Sequence, residues 1–306
     1  MDLKKHLRTN LLLCLCAVSI WFLSDAAHIR AAATEGLALC AGSVIPALFP
    51  FMVVSRMLVS LGFGTWASPL LSGIMAPLFH LPGIAGSALL LGFVGGYPIG
   101  AQTAAGLYRA GHLTRQETER LLSFCNNSNP VFLISVLGTG VFGSVRRGVW
   151  LWLIHILSAL LTGLLFRGSR VPRRRSSAPT SPAAPVSFSA AFVSAVREAA
   201  GGMLTLCAFV VVFYVLVLPL RTISSVTGTL LTGMTELFSL TPLLRPDPLC
   251  FILASGCTGW GGLSVLAQTA AVLDDTDLSL RPCLRGKVVQ GILSTVLAAL
   301  AVKFLF

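Results

Sequence analysis

The chain has few charged residues for its length. Only 11% of its 306 residues are Asp, Glu, Lys or Arg, whereas a soluble domain carries about 25%. The hydrophobic share is 55% and the mean hydropathy is +0.85. This balance excludes an ordinary soluble globular protein. It predicts an all-α polytopic membrane protein whose main surroundings are a lipid bilayer.

Acidic residues are the scarcer of the two signs of charge. The net charge is +11, and no Asp or Glu occurs between Glu119 and Glu198. Much of the positive excess lies in one short segment, at Arg167, Arg170, Arg173, Arg174 and Arg175. A basic cluster confined to one loop is typical of a loop held on the cytoplasmic side of a membrane. We therefore predict no nucleic-acid partner, despite the positive net charge.

Several signatures of chemistry are missing from the sequence. None of the eight cysteines forms a CxxC or Cys/His cluster, so we predict buried thiols and neither a metal site nor a disulfide framework. A Gly-x4-Gly-Lys-Ser/Thr motif is lacking, which excludes a P-loop ATPase. No paired acids or nucleophile–base arrangement stands out. We therefore expect no cofactor and no enzymatic activity.

One stretch of sequence occurs twice. Residues 95–105 read Gly-Gly-Tyr-Pro-Ile-Gly-Ala-Gln-Thr-Ala-Ala, and residues 261–271 read Gly-Gly-Leu-Ser-Val-Leu-Ala-Gln-Thr-Ala-Ala. Each copy follows an apolar run and leads into helix-forming sequence. Interrupted apolar segments at corresponding positions of two halves indicate the binding site of a transporter. We predict two internal repeats, each with a broken or re-entrant helical hairpin.

A basic, proline- and serine-rich segment divides the chain. Residues 167–187 contain no acid and are predicted to form a disordered cytoplasmic linker. An N-terminal membrane half at 1–166 and a C-terminal half at 188–306 would each carry one repeat. The basic start before the first apolar run fits either a cleavable signal peptide or an uncleaved first helix. We favour the uncleaved helix, with a cytoplasmic N-terminus.

Two further features concern the helices around the repeats. The apolar run 36–61 contains Pro46 and Pro50, where we expect a kink or a break because proline lacks a backbone donor. In the second half we expect a short interfacial helix over 189–200 and a separate span over 203–220.

The two Gly-Gly sites are the predicted centre of function. The apolar run 83–94 is short, because a span needs about 20 residues. Non-helical backbone at membrane depth must be buried in protein or line a wet cavity, and the N–H groups that begin the next half-helix attract anions or carbonyl groups. The residues predicted to bind a polar solute here are Gly95, Gly96, Tyr97, Pro98, Gln102, Thr103, Gly261, Gly262, Ser264, Gln268 and Thr269.

A polar run between apolar segments is a second candidate. It comprises Asn126, Asn127, Ser128 and Asn129, directly before Pro130. It is either a water-exposed turn capped by Asn-Pro or a further break that lines the same cavity. Burying several amides without partners is costly. We favour the cavity, where the amides would donate to and accept from a solute.

Three ionisable residues lie within apolar sequence. Arg56 either extends its side chain to the interface or contacts an anion. Glu236 is either solvated at the interface or a buried acid that serves protons or cations. His155 is expected to be a packed histidine rather than a proton relay. Arg56 and Glu236 are kept as candidate binding residues.

Three segments resemble a known family. Residues 95–101 (Gly-Gly-Tyr-Pro-Ile-Gly-Ala), 121–130 (Leu-Leu-Ser-Phe-Cys-Asn-Asn-Ser-Asn-Pro) and 261–268 (Gly-Gly-Leu-Ser-Val-Leu-Ala-Gln) are similar to the YlbJ-type sporulation integral membrane proteins, of the nucleoside-recognition or Gate domain group. The similarity runs from the Pro-Ala-Leu-Phe-Pro-Phe motif at 46–51 to the last helix. Asn129 departs from the glycine expected there, and we expect it to tighten the turn.

The resemblance implies a transport-like core similar to that of concentrative nucleoside transporters, with inverted hairpin repeats. It implies a multi-pass protein of a bacterial cell membrane that exports dipicolinic acid from the mother cell across the outer forespore membrane. Half-helix N-termini, asparagine amides and Arg56 would suit this small anionic metabolite. A nucleoside-type transporter and a non-transporting sporulation scaffold remain alternatives. The nature of the coupling and the formation of a homo-oligomer are left open.

Overall fold

The structure, a computed structural model, describes residues 2–168, 187–223 and 225–306. These residues form fifteen α-helices with short π- and 3-10-helical turns, and they contain no β-strand. The predicted all-α class is therefore confirmed. The predicted linker at 167–187 lies almost wholly outside the described residues.

The helices follow one another closely along the chain. Their bounds are α1 Asp2–Ser24, α2 Ala26–Leu39, α3 Ile45–Ser60, α4 Phe63–Ile74, α5 Ala85–Gly95, α6 Ile99–Arg109, α7 Arg115–Leu122, α8 Val145–Leu165, α9 Phe188–Leu216, α10 Leu218–Arg221, α11 Val226–Thr235, α12 Leu237–Leu240, α13 Pro248–Trp260, α14 Gly262–Leu273 and α15 Arg281–Ala301. The π-helical segments are Cys40–Val44, Met75–Phe79 and Val131–Val141, and 3-10 turns occupy Thr241–Leu243 and Val302–Phe304.

Several segments are long and apolar enough to cross a bilayer. The described residues contain five of them, at Ala26–Ser60, Val145–Leu165, Phe188–Leu216, Pro248–Leu273 and Arg281–Phe304. Large apolar side chains on their outer faces, such as Leu204 and Ile292, are exposed. Exposed apolar surface of this extent marks a protein that faces lipid, so the chain is an integral membrane protein.

The proline-containing run differs from expectation in detail. A π-helical turn at Cys40–Val44 precedes Pro46, which occupies the first turn of α3. Because the backbone at Val44 and Ile45 is helical as well, Pro46 lies inside the continuous helical segment Ala26–Ser60, and the π-helical turn accommodates the backbone N–H that proline lacks. The helix then continues through Pro50. The irregularity therefore lies before Pro46, and no break occurs at Pro50.

The second half begins with one long helix rather than two. The predicted boundary between 189–200 and 203–220 was wrong, because α9 runs unbroken from Phe188 to Leu216. A glycine pair inside a helix costs only about 1 kcal/mol per residue, and α9 packs along α3 at this point. Gly202 faces the Met52 side chain there. Close packing therefore outweighs the weak local propensity.

Helices from both halves pack together around the region of the Gly-Gly sites. The helix α13 packs along α15, α8 packs against α15, and α5 packs against α6. Small residues allow the close approach of α13 and α15, since a Cβ added to Gly259 would lie 2.6 Å from the Ser294 hydroxyl oxygen. Such small-residue contacts are common between membrane helices.

Candidate functional site

Both Gly-Gly sites interrupt helices. The helix α5 ends at Gly95, and Gly96 has φ +80° before α6 begins at Ile99. At the second site α13 ends at Trp260, and Gly261 has φ +88°. Left-handed backbone of this kind is open to glycine at little steric cost. The interruptions inferred from the glycine pairs are thus present in the structure.

The two interruptions contact each other through Tyr97. Its hydroxyl donates a hydrogen bond to the carbonyl oxygen of Thr258, in the last turn of α13, at 2.9 Å. A Cβ added to Gly261 would lie 3.3 Å from the same hydroxyl. Tyr97 is therefore a spatial neighbour of residues 161 and 164 positions further along the chain.

The asparagine run is buried between the interruptions. Asn126, Asn127, Ser128 and Asn129 are all buried, so the water-exposed turn is excluded as an account of this segment. The Asn126 amide donates to the Thr269 hydroxyl at 2.9 Å, which ties the run to α14. Asn129 packs against Gly96, where a Cβ would lie 3.0 Å from the Asn129 backbone nitrogen. Both Gly-Gly segments thus meet at this run.

A cavity lies where these segments converge. It is small and partly open to its surroundings. Its lining residues are Leu48, Tyr97, Ser128, Asn129, Phe132, Leu206, Glu236, Leu237, Phe238, Ser264, Val265 and Gln268. Six of them belong to the predicted binding set. An apolar lining with a few convergent polar groups is typical of a small-molecule site.

The remaining predicted residues do not line this cavity. They are Gly95, Gly96, Pro98, Gln102, Thr103, Asn126, Asn127, Gly261, Gly262, Thr269 and Arg56. Several of them support the lining residues, as Asn126 does through Thr269. A role in solute binding remains a prediction for the whole set.

Glu236 is a buried acid and not an interfacial one. It is 2% exposed, and its carboxylate accepts a hydrogen bond from the backbone N–H of Ser239 at 2.5 Å, which caps α12. Among the described residues that line the cavity it is the single ionisable carboxylate, and no lysine or arginine joins it. The cavity wall therefore carries at most one charged group, and that group is negative.

Gln268 presents an unused hydrogen-bond acceptor. Its amide nitrogen donates to the Ser264 hydroxyl at 3.4 Å, while its buried amide oxygen has no partner among the described residues. Both residues line the cavity. A buried polar atom without a partner calls for an explanation such as water or a ligand. A donor group on a bound solute would satisfy it.

Arg56 is occupied by partners within the chain. Its guanidinium donates to the Glu198 carboxylate at 2.8 Å and to the Gln102 amide oxygen at 2.6 Å. The Arg56 side chain is 24% exposed and that of Glu198 is 48% exposed. The sequence left Arg56 either extended to the interface or in contact with an anion, and within the chain its anionic partner is Glu198, on α9. Sequence reasoning missed Glu198 because it placed 189–200 on a separate interfacial helix.

Sequence reasoning also missed Lys287, near the start of α15. This lysine is fully buried, and its Nζ donates to the Gln290 amide oxygen at 2.9 Å. Gln290 in turn donates to the Asn127 amide oxygen at 2.9 Å. The sequence contained a signal for this residue. Lys287 lies at the start of an apolar run within a helix, and an ionisable residue in such a run is a candidate functional residue.

His155 lies at the edge of the same network. Its Nε2 accepts a hydrogen bond from the backbone N–H of Ser128 at 3.0 Å, and the residue is buried. This contact fits the packed histidine expected from the sequence, because it fixes the backbone of the asparagine run.

Comparison with known proteins places this geometry in a family context. Residues 41–147 match the family model described as nucleoside recognition, or Gate. The chain is also 28% identical to the sporulation integral membrane protein YlbJ of Bacillus subtilis (strain 168), over 90% of this chain and 78% of that protein. The resemblance to YlbJ-type proteins is confirmed. No solved structure matches the chain.

The Gate match covers only part of the site. It includes the first Gly-Gly interruption and the asparagine run. The second interruption, Glu236 and Lys287 lie outside residues 41–147. The Gate match therefore bears on one side of the site.

Proposed function

We propose that this protein is a permease for a small polar metabolite, which binds in the cavity between the two helix interruptions. The observation that carries the proposal is the convergence of polar groups from both repeats and from the asparagine run on one cavity. Burying such groups at membrane depth is costly unless a solute or water uses them. No cofactor is part of the proposal.

The helix lengths support a transporter-like arrangement of two broken hairpins. The helices α5 and α6 have 11 residues each, or about 16 Å at 1.5 Å per residue, roughly half of a 30 Å hydrocarbon core. The helices α13 and α14 have 13 and 12 residues. We propose that each pair is a broken or re-entrant hairpin of an inverted repeat, one in the half at 1–166 and one in the half at 188–306.

Two solute classes compete for the cavity. The resemblance to YlbJ-type proteins implies dipicolinate, moved across the outer forespore membrane during sporulation. The Gate description implies a nucleoside, and the lining favours it in one respect. Glu236 opposes a dianion, while the aromatic side chains of Tyr97, Phe132 and Phe238 suit a flat, neutral ring. Dipicolinate remains the leading candidate, and it requires a positive charge from outside the lining.

Transport into liposomes tests the proposal directly. Purified protein is reconstituted, and uptake of labelled dipicolinate and of labelled uridine is compared with uptake by empty liposomes. We expect saturable uptake of one of the two. Gln268→Ala should lower that uptake at least tenfold, because the cavity loses an amide. The matched control Gln116→Ala alters an exposed glutamine on α7 and should leave uptake unchanged.

A scaffold that uses its repeats only for helix packing gives a different pattern. It shows no uptake of either solute, and Gln268→Ala leaves its sporulation function intact at normal expression. Gln102→Ala is a useful comparison with Gln268→Ala, because Gln102 contacts Arg56 outside the cavity. Equal transport defects in both glutamine variants would contradict the assignment of the cavity as the binding site.

Access of water to the cavity is a separate measurement. The native Cys125 and Cys257 are buried and do not line the cavity, so they are poor reporters. Ser264→Cys places a thiol on the lining. We expect a water-soluble methanethiosulfonate to label it, and the transported solute to slow the labelling. A thiol at 264 that never reacts would contradict a solvent-filled cavity.

A further inference from the structure

We propose that Lys287 selects solutes by their charge. A carboxylate-bearing solute in the cavity would contact Lys287 when the Tyr97 side chain moves aside. The inference rests on the proposed transport function and adds to it a residue, a substrate chemistry and a gate. It concerns a side chain that the lining of the cavity does not include.

The surroundings of Lys287 leave its charge largely uncompensated. An ammonium group has three donors, and Nζ has one hydrogen-bond acceptor here, the Gln290 amide oxygen at 2.9 Å. Lys287 takes part in none of the ion pairs formed by the described residues. A buried charge without a counter-ion is expensive, and an apolar residue would pack there at lower cost. Such residues inside a membrane mark solute or ion pathways.

Lys287 is joined to the cavity wall by short contacts. Gln290 bridges Lys287 to Asn127, and the next residues of the asparagine run, Ser128 and Asn129, line the cavity. On another side, Nζ lies 5.0 Å from the centroid of the Tyr97 ring, and Tyr97 also lines the cavity. Tyr97 therefore contacts both the lysine and the cavity.

Tyr97 is suited to be the movable side chain between Lys287 and the cavity. A cation over an aromatic face is stabilised by about 0.5–2 kcal/mol, which holds Lys287 in place while the cavity is empty. The hydroxyl of Tyr97 is fixed by one hydrogen bond, to Thr258. A carboxylate attracts an ammonium more strongly than a ring face does. A solute with a carboxylate would thus replace the ring as the neighbour of Nζ.

The arrangement separates two opposite charges. Glu236 lines the cavity and Lys287 lies behind Tyr97. With Tyr97 in place, the lining presents its one acid and disfavours anions. With Tyr97 displaced, the cavity gains a positive charge. Selection between neutral and anionic solutes would therefore depend on Lys287 and not on Arg56, which is paired with Glu198.

Charge selectivity in liposomes tests the role of Lys287. The readout is the ratio of uptake of pyridine-2,6-dicarboxylate to that of its neutral diamide, each corrected for empty liposomes. We expect Lys287→Met to lower this ratio at least tenfold, and Lys287→Arg to restore most of it. The control Lys303→Met makes the same change at an exposed lysine and should leave the ratio unchanged. An unchanged ratio in folded Lys287→Met protein overturns the proposal.

An access measurement decides the gate without any transport. Lys287→Cys is labelled with a small methanethiosulfonate, and mass spectrometry reports the extent of labelling at position 287. We expect labelling at least tenfold faster when Tyr97→Ala is also present. Equal rates in the two backgrounds overturn the role proposed for Tyr97. If wild-type protein carries neither solute, the proposed function fails. The labelling rate then still tests whether Tyr97 limits access to position 287.

Discussion

The packing of the asparagine run against the first interruption makes a sharp prediction for Gly100→Ala. Gly100 lies in the first turn of α6, and a Cβ there would fall 2.0 Å from the backbone carbonyl oxygen of Cys125. Gly92 on α5 faces the same carbonyl, at 1.9 Å. The Cys125 backbone is thus held between α5 and α6, next to one glycine of each helix. Because the contacting atom is a backbone carbonyl oxygen, no flexible side chain can move to make room for a Cβ.

The magnitude follows from the displacement required. Real Cβ atoms essentially never approach a neighbour within 3.0 Å, so α6 and the Cys125 backbone must separate by about 1 Å, a shift that in a packed core costs about 1–3 kcal/mol. Replacement of glycine by alanine inside a helix returns at most about 1 kcal/mol. We therefore expect a net loss of up to about 2 kcal/mol of unfolding free energy.

The same helix provides the control. A Cβ added to Gly106 would meet nothing within 4 Å, so Gly106→Ala isolates the effect of helix propensity alone. Thermal unfolding of both variants in detergent, followed by tryptophan fluorescence, gives the comparison. We expect a lower Tm for Gly100→Ala and an unchanged or higher Tm for Gly106→Ala. Equal Tm values would refute the close packing of α6 on the asparagine run.

Two further predictions concern the connecting segments outside the membrane spans. Glu117→Ala removes the reciprocal capping box between Thr114 and Glu117 at the start of α7, so we expect a loss of about 1 kcal/mol, measured as a Tm shift against the exposed control Gln116→Ala. The Tyr108 hydroxyl donates to the Asp277 carboxylate at 2.6 Å and lowers the pKa of that carboxyl. A carboxyl with a lowered folded-state pKa stabilises the fold above its unfolded pKa of about 4 and loses this contribution as the pH falls through the lower folded value. The Tm of wild type should therefore fall more than that of Tyr108→Phe between pH 5 and pH 3, and parallel Tm curves would contradict this contact.

The interruptions were predictable because their causes are local. A glycine pair that adopts left-handed backbone, or a glycine pair before Tyr97 and Pro98, breaks a helix whatever surrounds it. The α5–α6 pair accordingly falls where the sequence placed it, whereas the break predicted over 255–262 was too long, because α13 continues to Trp260 and is interrupted at Gly261. The capping box between Thr114 and Glu117 likewise depends on residues three positions apart.

The partners of each polar side chain were less predictable, because they depend on how helices rotate and which helices are neighbours. Gln102 and Gln268 occupy the same position in the two copies, yet Gln102 accepts from Arg56 whereas Gln268 donates to Ser264. The residue four positions earlier explains part of the difference, since it is Pro98 in one copy and Ser264 in the other. A proline side chain offers no hydrogen-bonding atom, so Gln102 takes its partner from another helix.

The burial of Lys287 was also not predictable from the sequence. Its position within an apolar helix is visible in the sequence, but its burial depends on α15 packing against α13 and α8. Its contact with Tyr97 joins residues 190 positions apart. No local pattern specifies that meeting, and only the packed helices bring the lysine behind the cavity wall.

Tyr97 contacts both helix interruptions and the buried Lys287. The residue belongs to the first interruption, its hydroxyl is bonded to the end of α13 at the second, and its ring covers Lys287. Gly261 leaves the space that this hydroxyl occupies. Displacement of Tyr97 would therefore break the contact between the repeats and expose the buried lysine in a single movement. In the permease proposed above, a side chain that joins both broken helices to the buried charge would couple solute binding to the opening of the site.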